Sequence, residues 1–112
     1  MSKFIYIDDT DANRNLIVSS DHAVNSTNNK RGSNTINLSR VMIANTSDNV
    51  ATISLYIYQT ASPNNSYHLI RLLDIPAETT FVWDEVITFN VYTHSLRLYN
   101  SGSDPKLTVI ID

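Results

Sequence analysis

The sequence predicts an all-β, single-domain antiparallel β-sandwich of about eight strands, wound as a jelly roll or as an immunoglobulin-like sandwich. Three observations carry that prediction. From Val41 onward, apolar and polar residues alternate at the two-residue period of a pleated strand. Clusters of Asn, Asp, Ser and Pro interrupt the alternation at intervals of about eight to twelve residues, the spacing of turns in a sandwich. Nowhere does an apolar stripe at helical spacing run long enough to make an amphipathic helix.

The elements follow in order. Residues 4–7 make a short strand, residues 8–15 a polar turn and residues 16–19 a second strand, so the opening reads as a hairpin with a long loop. Residues 20–35 hold few large apolar side chains beyond Ala23 and Val24. A segment this polar buries too little surface to order itself, and it reads as an exposed loop that grips a partner or stays mobile. Residues 1–35 are thus a hairpin plus loop, and residues 36–112 the main sandwich. Ile36 and Leu38 share one phase while Val41 and Ile43 share the other, which predicts a bulge near Ser39 and Arg40 or two separate strands.

The segment 50–58 is the clearest strand. Ala51, Ile53, Leu55 and Ile57 alternate with Thr52, Ser54, Tyr56 and Tyr58, giving one aliphatic face and one hydroxyl-aromatic face. Residues 67–73 form the next strand; a helical turn over Leu69 to Leu73 is disfavoured because the segment is short and Pro76 closes it. Residues 79–83, 86–89, 94–99 and 107–111 complete the set, with residues 100–105 linking the last two as a hairpin.

Composition narrows the function. A chain of 112 residues is one domain with a core of modest size. It contains no cysteine, so no disulfide adds stability, and oligomerisation is an expected further source of it. The formal charge is −3 and the pI about 5.4, with no basic cluster beyond Lys30 and Arg31, which argues against nucleic acid as a partner. The first residues lack the apolar run of a signal peptide, and no stretch is long and apolar enough to span a membrane as a helix. Synthesis in a cytoplasm is expected. With only two glycines, the turns must be built from Asn and Asp, which tolerate positive φ.

Sites of chemistry are sparse. Asp9, Asp11 and Asn13 match the first three ligand positions of a calcium loop, but Arg14 stands where that loop needs glycine and Ser20 where it needs a bidentate glutamate. A polar turn explains the same letters. His22, His68 and His94 are not at metal-ligand spacing. Asp84 and Glu85 are adjacent and, on a strand, would point to opposite faces, unlike a glycosidase pair. Four Asn-x-Ser/Thr triplets occur, a number that so Asn- and Ser-rich a chain reaches by chance. Neither an enzyme nor a cofactor is expected. The aromatic residues say more. Tyr56 and Tyr58 share one strand face, and so do Arg97 and Tyr99; tyrosine and arginine are favoured at interfaces because each joins a large contact area to a polar end. These four, with Lys30 and Arg31 of the polar loop, are the interface candidates. The same rings can stack on sugars, so a carbohydrate-binding module on a receptor-binding tip is the rival expectation.

One stretch carries a resemblance. Val41-Met42-Ile43-Ala44-Asn45-Thr46-Ser47, then residues 51–57, then Tyr67 and Leu69, then Ile75-Pro76-Ala77-Glu78-Thr79-Thr80 resembles a pattern in small virion structural proteins of tailed bacteriophages. Those proteins repeat a strand, an Asn-Thr-Ser turn, a strand, an Ile-Pro-Ala-Gly-Thr-Thr turn and a strand. The match covers residues 41 to about 89, and Glu78 replaces the family's usual glycine. The resemblance implies a virion component, most of all a capsid decoration protein and next a neck, tail or baseplate piece. It implies a homo-oligomer that binds other virion proteins and has no catalytic residues.

Overall fold

The computed structural model describes residues 2–9, 12–19, 21, 35–102 and 104–112. Ten strands form among them: β1 (Lys3–Ile7), β2 (Ala12–Ile17), β3 (Thr35–Leu38), β4 (Val41–Asn45), β5 (Ala51–Gln59), β6 (Ser66–Ile75), β7 (Thr79–Trp83), β8 (Ile87–Asn90), β9 (His94–Ser101) and β10 (Leu107–Ile111). The architecture is the expected all-β sandwich, with ten strands rather than eight. One four-stranded sheet has the order β1-β10-β4-β7 and the other β2-β9-β5-β6, with β3 and β8 in a short ladder of their own.

The pairing settles which sandwich this is. The first strand pairs with the last, the second with the ninth, the third with the eighth, the fourth with the seventh and the fifth with the sixth, all antiparallel. The chain is one long two-stranded ribbon, tipped at the β5–β6 turn and rolled up. Rolling adds the contacts β10–β4 and β5–β9, which close each sheet. That winding is a jelly roll.

It also corrects two expectations from the sequence. β1 and β2 do not form a hairpin, and neither do β9 and β10, because each pair is split between opposite sheets. The physical reason lies in the ribbon: β1 and β2, like β9 and β10, follow each other along it and pass from one sheet to the other, so each pairs across the ribbon and not with its neighbour in sequence. A third correction concerns residues 12–15, read as turn but forming the first four of the six residues of β2. Asn and Arg are weak strand formers, yet Asn13 and Asn15 find side-chain partners on β5 and β9, and tertiary context overrides propensity.

The phase change at Ser39 and Arg40 is a break into two strands, β3 and β4, in different ladders. The core lies between the sheets. Ile7, Val41, Ile43, Leu107 and Val109 from one side meet Leu16, Ile53, Leu55, Leu96 and Leu98 from the other, all fully buried. Each is worth about 1.5–3 kcal/mol of apolar burial.

Two turns are held by one side chain. Asn45, 1% exposed, donates from Nδ2 to the carbonyls of Asn49 (2.7 Å), Ile75 (3.0 Å) and Pro76 (3.2 Å). Its Oδ1 accepts from Ser47 N (3.1 Å) and Ser47 Oγ (2.7 Å). Asn45 therefore ties the Asn-Thr-Ser turn to the Ile-Pro-Ala turn. Asn64 and Asp104 take positive φ in their turns as their residue type allows, and Glu78 takes φ 59°, the region a glycine would occupy without steric cost.

One end of the first sheet, where β1, β10 and β4 meet, is tied by charge. Arg40 donates from Nε and Nη2 to Asp112 Oδ2, and Ser2 Oγ donates to Asp112 Oδ1. The Ser2 hydroxyl, then Arg40, hold the Asp112 carboxyl below the usual carboxylate range. A folded pKa below the unfolded one contributes stability above about pH 4 and loses it as pH falls through the folded value. Arg40→Ala is therefore expected to melt below the wild type at about pH 7, with the gap narrowing by about pH 2, as read by circular dichroism. An equal gap at both values would contradict the linkage.

Candidate functional site

The outer face of the second sheet gathers the interface candidates. Register places Asn15, Arg97, Tyr56 and His68 in one row across β2, β9, β5 and β6. Asn13, Tyr99 and Ser54 form the row beside it. Tyr56, Tyr58, Arg97 and Tyr99 thus line one groove of about 440 Å³ together with His68 and Arg71.

Tyr56 is its floor rather than its rim. It is 6% exposed, its hydroxyl donates to Asn13 Oδ1 at 2.6 Å, and its ring centroid lies 5.0 Å from that of His68. Arg97 lies over Tyr58, with Cζ 3.9 Å from the ring centroid, while Nε donates to Asn15 Oδ1 at 2.7 Å. Cation–π and hydrogen-bond contacts together fix the guanidinium in one orientation.

β6 shapes the far wall. Its register with β5 shifts twice, between Ile53 and Leu55 and again between Leu55 and Tyr56. At the first shift Arg71 and Leu72 stand opposite the single residue Ser54, whose Oγ accepts from Leu72 N at 2.9 Å. Leu72 pays for this with φ 54°, an uncommon conformation for a bulky side chain. The shifts also blunt an edge strand that would otherwise invite pairing with another chain.

Arg71 escaped the sequence reading because it shares the phase of Leu69 and Leu73 in an unbroken strand. The doublets Leu69-Ile70 and Leu72-Leu73 break that alternation and were the available sign of the bulges.

The outer face of the first sheet differs in kind. Phe4, Ile110, Met42 and Val82 are register partners across β1, β10, β4 and β7, an apolar row spanning the whole sheet. Phe4 is 70% exposed and Val82 44%, and Tyr6 stands beside Phe4 at 54%. A cavity of about 550 Å³ at one end of the sandwich is lined by Lys3, Asp21 and Leu38 among others. Its cation is already held, since Lys3 Nζ donates to Asp21 (2.8 Å) and to Leu16 O (2.7 Å).

The remaining sequence candidates are not drawn together. Asp9 pairs with Arg14 at 2.9 Å, and Asn13 serves Tyr56. Asp11, His22, Lys30 and Arg31 lie outside the described residues. No three His, Asp or Glu side chains among the described residues could hold a metal. Asp84 and Glu85 are exposed in the turn after Trp83, and His94 Nδ1 sits 2.7 Å from Thr93 Oγ1. Comparison with protein families, curated proteins and solved structures finds no match.

Proposed function

We propose that this protein is a non-catalytic structural component of a bacteriophage particle, a capsid decoration protein that packs against neighbouring copies of itself through the outer face of the β1-β10-β4-β7 sheet. The observation that carries the reading is the apolar row Phe4–Ile110–Met42–Val82, which a monomer would have no reason to keep wet. The row favours a two-fold partner, because Phe4 at one end of a strip meets Val82 at the other when an identical strip is turned over it.

The size of the face favours a particle. Four strands about 4.8 Å apart and five residues long cover about 300 Å². A stable free pair needs about 800 Å² from each partner. A contact this small is weak alone and gains strength where a lattice holds many copies side by side. The resemblance of the strand-and-turn pattern over residues 41–89 to small phage virion proteins supports the same setting, and Asn45, which clamps the two turns of that pattern together, gives it a physical role.

Immunogold electron microscopy of virions from the host that produces this chain tests the proposal. Label over the capsid is expected, and Phe4→Glu should remove it while leaving the fold intact. Virions without label would overturn the virion role, and label confined to the neck or tail would overturn decoration.

A further inference from the structure

Six lysines and arginines fall among the described residues: Lys3, Arg14, Arg40, Arg71, Arg97 and Lys106. Four have a carboxylate partner, in Asp21, Asp9, Asp112 and Asp104. Arg71 and Arg97 have none among the described residues, and both line the groove on the β2-β9-β5-β6 sheet, whose lining holds no Asp or Glu among the described residues. In a chain of net charge −3, the two cations that have no carboxylate partner among the described residues share one concave site. Arg97 rests on Tyr58 and Asn15 and Arg71 is exposed, so both guanidinium groups are held at the groove with donors open to an anion from outside.

We propose that this groove binds a saccharide bearing a carboxylate, with Arg97 and Arg71 holding the carboxylate. The Nε of Arg97 is committed to Asn15 and its flat face to Tyr58, which leaves the Nη edge to meet a carboxylate in two parallel hydrogen bonds. Arg71 reaches the same space because the bulge at Leu72 turns it there, and strain in a non-glycine residue at positive φ is found where a wall must be aimed.

A sugar ring accounts for the rest of the lining. Tyr58 and the ring of His68 give apolar surface for C–H groups, while the His68 nitrogens and Ser66 Oγ supply donors and acceptors for hydroxyls. The volume of about 440 Å³ fits a ligand of one or two rings. An acidic segment of a protein partner would satisfy the arginines equally, but it would leave these ring faces and short polar groups unused. The site lies on the face opposite the apolar row, so it stands apart from the assembly contact.

Chemical-shift mapping on the full-length protein tests this with glucuronic and galacturonic acid against glucose and galactose, which differ in the carboxylate. Inorganic phosphate and a short polyglutamate peptide serve as competing anions. The uronic acids are expected to shift the resonances of Tyr58, His68, Arg71 and Arg97, and the neutral sugars to leave them in place. Arg71→Ala and Arg97→Ala should each weaken binding by about tenfold, and Arg97→Lys should not restore it, because an ammonium lacks the fork. Arg71 is exposed, so its removal leaves the fold unperturbed and keeps the test readable. Equal shifts from glucose, stronger binding of phosphate or of polyglutamate, or no shift with uronic acid at millimolar concentration would each overturn the proposal. None of these outcomes touches capsid labelling, which depends on Phe4.

Discussion

Asn45→Asp is expected to destabilise the protein by about 3–5 kcal/mol, a large part of what a domain of this size possesses. The exchange is nearly isosteric, so packing is retained and chemistry alone changes. The Asn45 amide points its two N–H groups at three backbone carbonyls, one of these bonds being shared, and its oxygen at the N–H and hydroxyl of Ser47. A carboxylate there would put a buried negative oxygen against the carbonyls of Asn49, Ile75 and Pro76. Asn45→Ala should cost about 2–4 kcal/mol, because those groups lose their partners without gaining a repulsion.

The two variants differ in pH dependence. The repulsion raises the folded-state pKa of the new carboxyl above its unfolded value. The penalty is therefore full at neutral pH and shrinks as pH falls and the group protonates. Urea unfolding at neutral and mildly acidic pH measures this: Asn45→Asp should recover part of its loss on acidification and Asn45→Ala should not. Parallel behaviour of the two would contradict the hydrogen-bond geometry assigned to Asn45.

Gly102→Ala is expected to cost about 2–3 kcal/mol and lower the melting temperature by about 10 °C. Gly102 has φ 136°, a region that L side chains rarely enter. A Cβ at this position would also lie 2.9 Å from the carbonyl oxygen of Val50 and 3.7 Å from Ala51 Cα, both backbone atoms at the start of β5. Neither can move without disturbing the β5–β9 ladder, where Thr52 is the register partner of Ser101. Thermal unfolding followed by circular dichroism measures the effect, and an unchanged melting temperature would show that the β9–β10 connection can relax. In a chain with two glycines, this one stands where the ribbon crosses from one sheet to the other.

Much of this was legible in the sequence, and the limit is physical. Ile53 and Leu55 alternate with Ser54 and Tyr56 because one face of β5 fills the core, and any reader of period two finds that strand. Asn64 and Asp104 mark positive-φ turns for the same local reason. Pairing is not local. Nothing in residues 4–7 states that their partner is β10 rather than β2, because either strand would cover the same apolar side. The groove was half legible: the spacing of Tyr56, Tyr58, Arg97 and Tyr99 put each pair on one face, and register then joined the pairs. Arg71 entered through a bulge that shifts phase in mid-strand, and Tyr56 proved to be a floor because Asn13 arrived from a strand read as a turn. Asn45 read as a turn former, and its grip on Ile75 and Pro76 depends on two turns that only the winding brings together.

Sedimentation velocity of the wild type and of Phe4→Glu over a wide concentration range tests the central claim, that the apolar row of the first sheet exists to meet another copy. The account predicts a wild-type protein whose mean sedimentation coefficient climbs with concentration and a Phe4→Glu protein that stays a monomer throughout. A wild type that remains monomeric at the highest concentration, or a variant that associates as well as its parent, would contradict it.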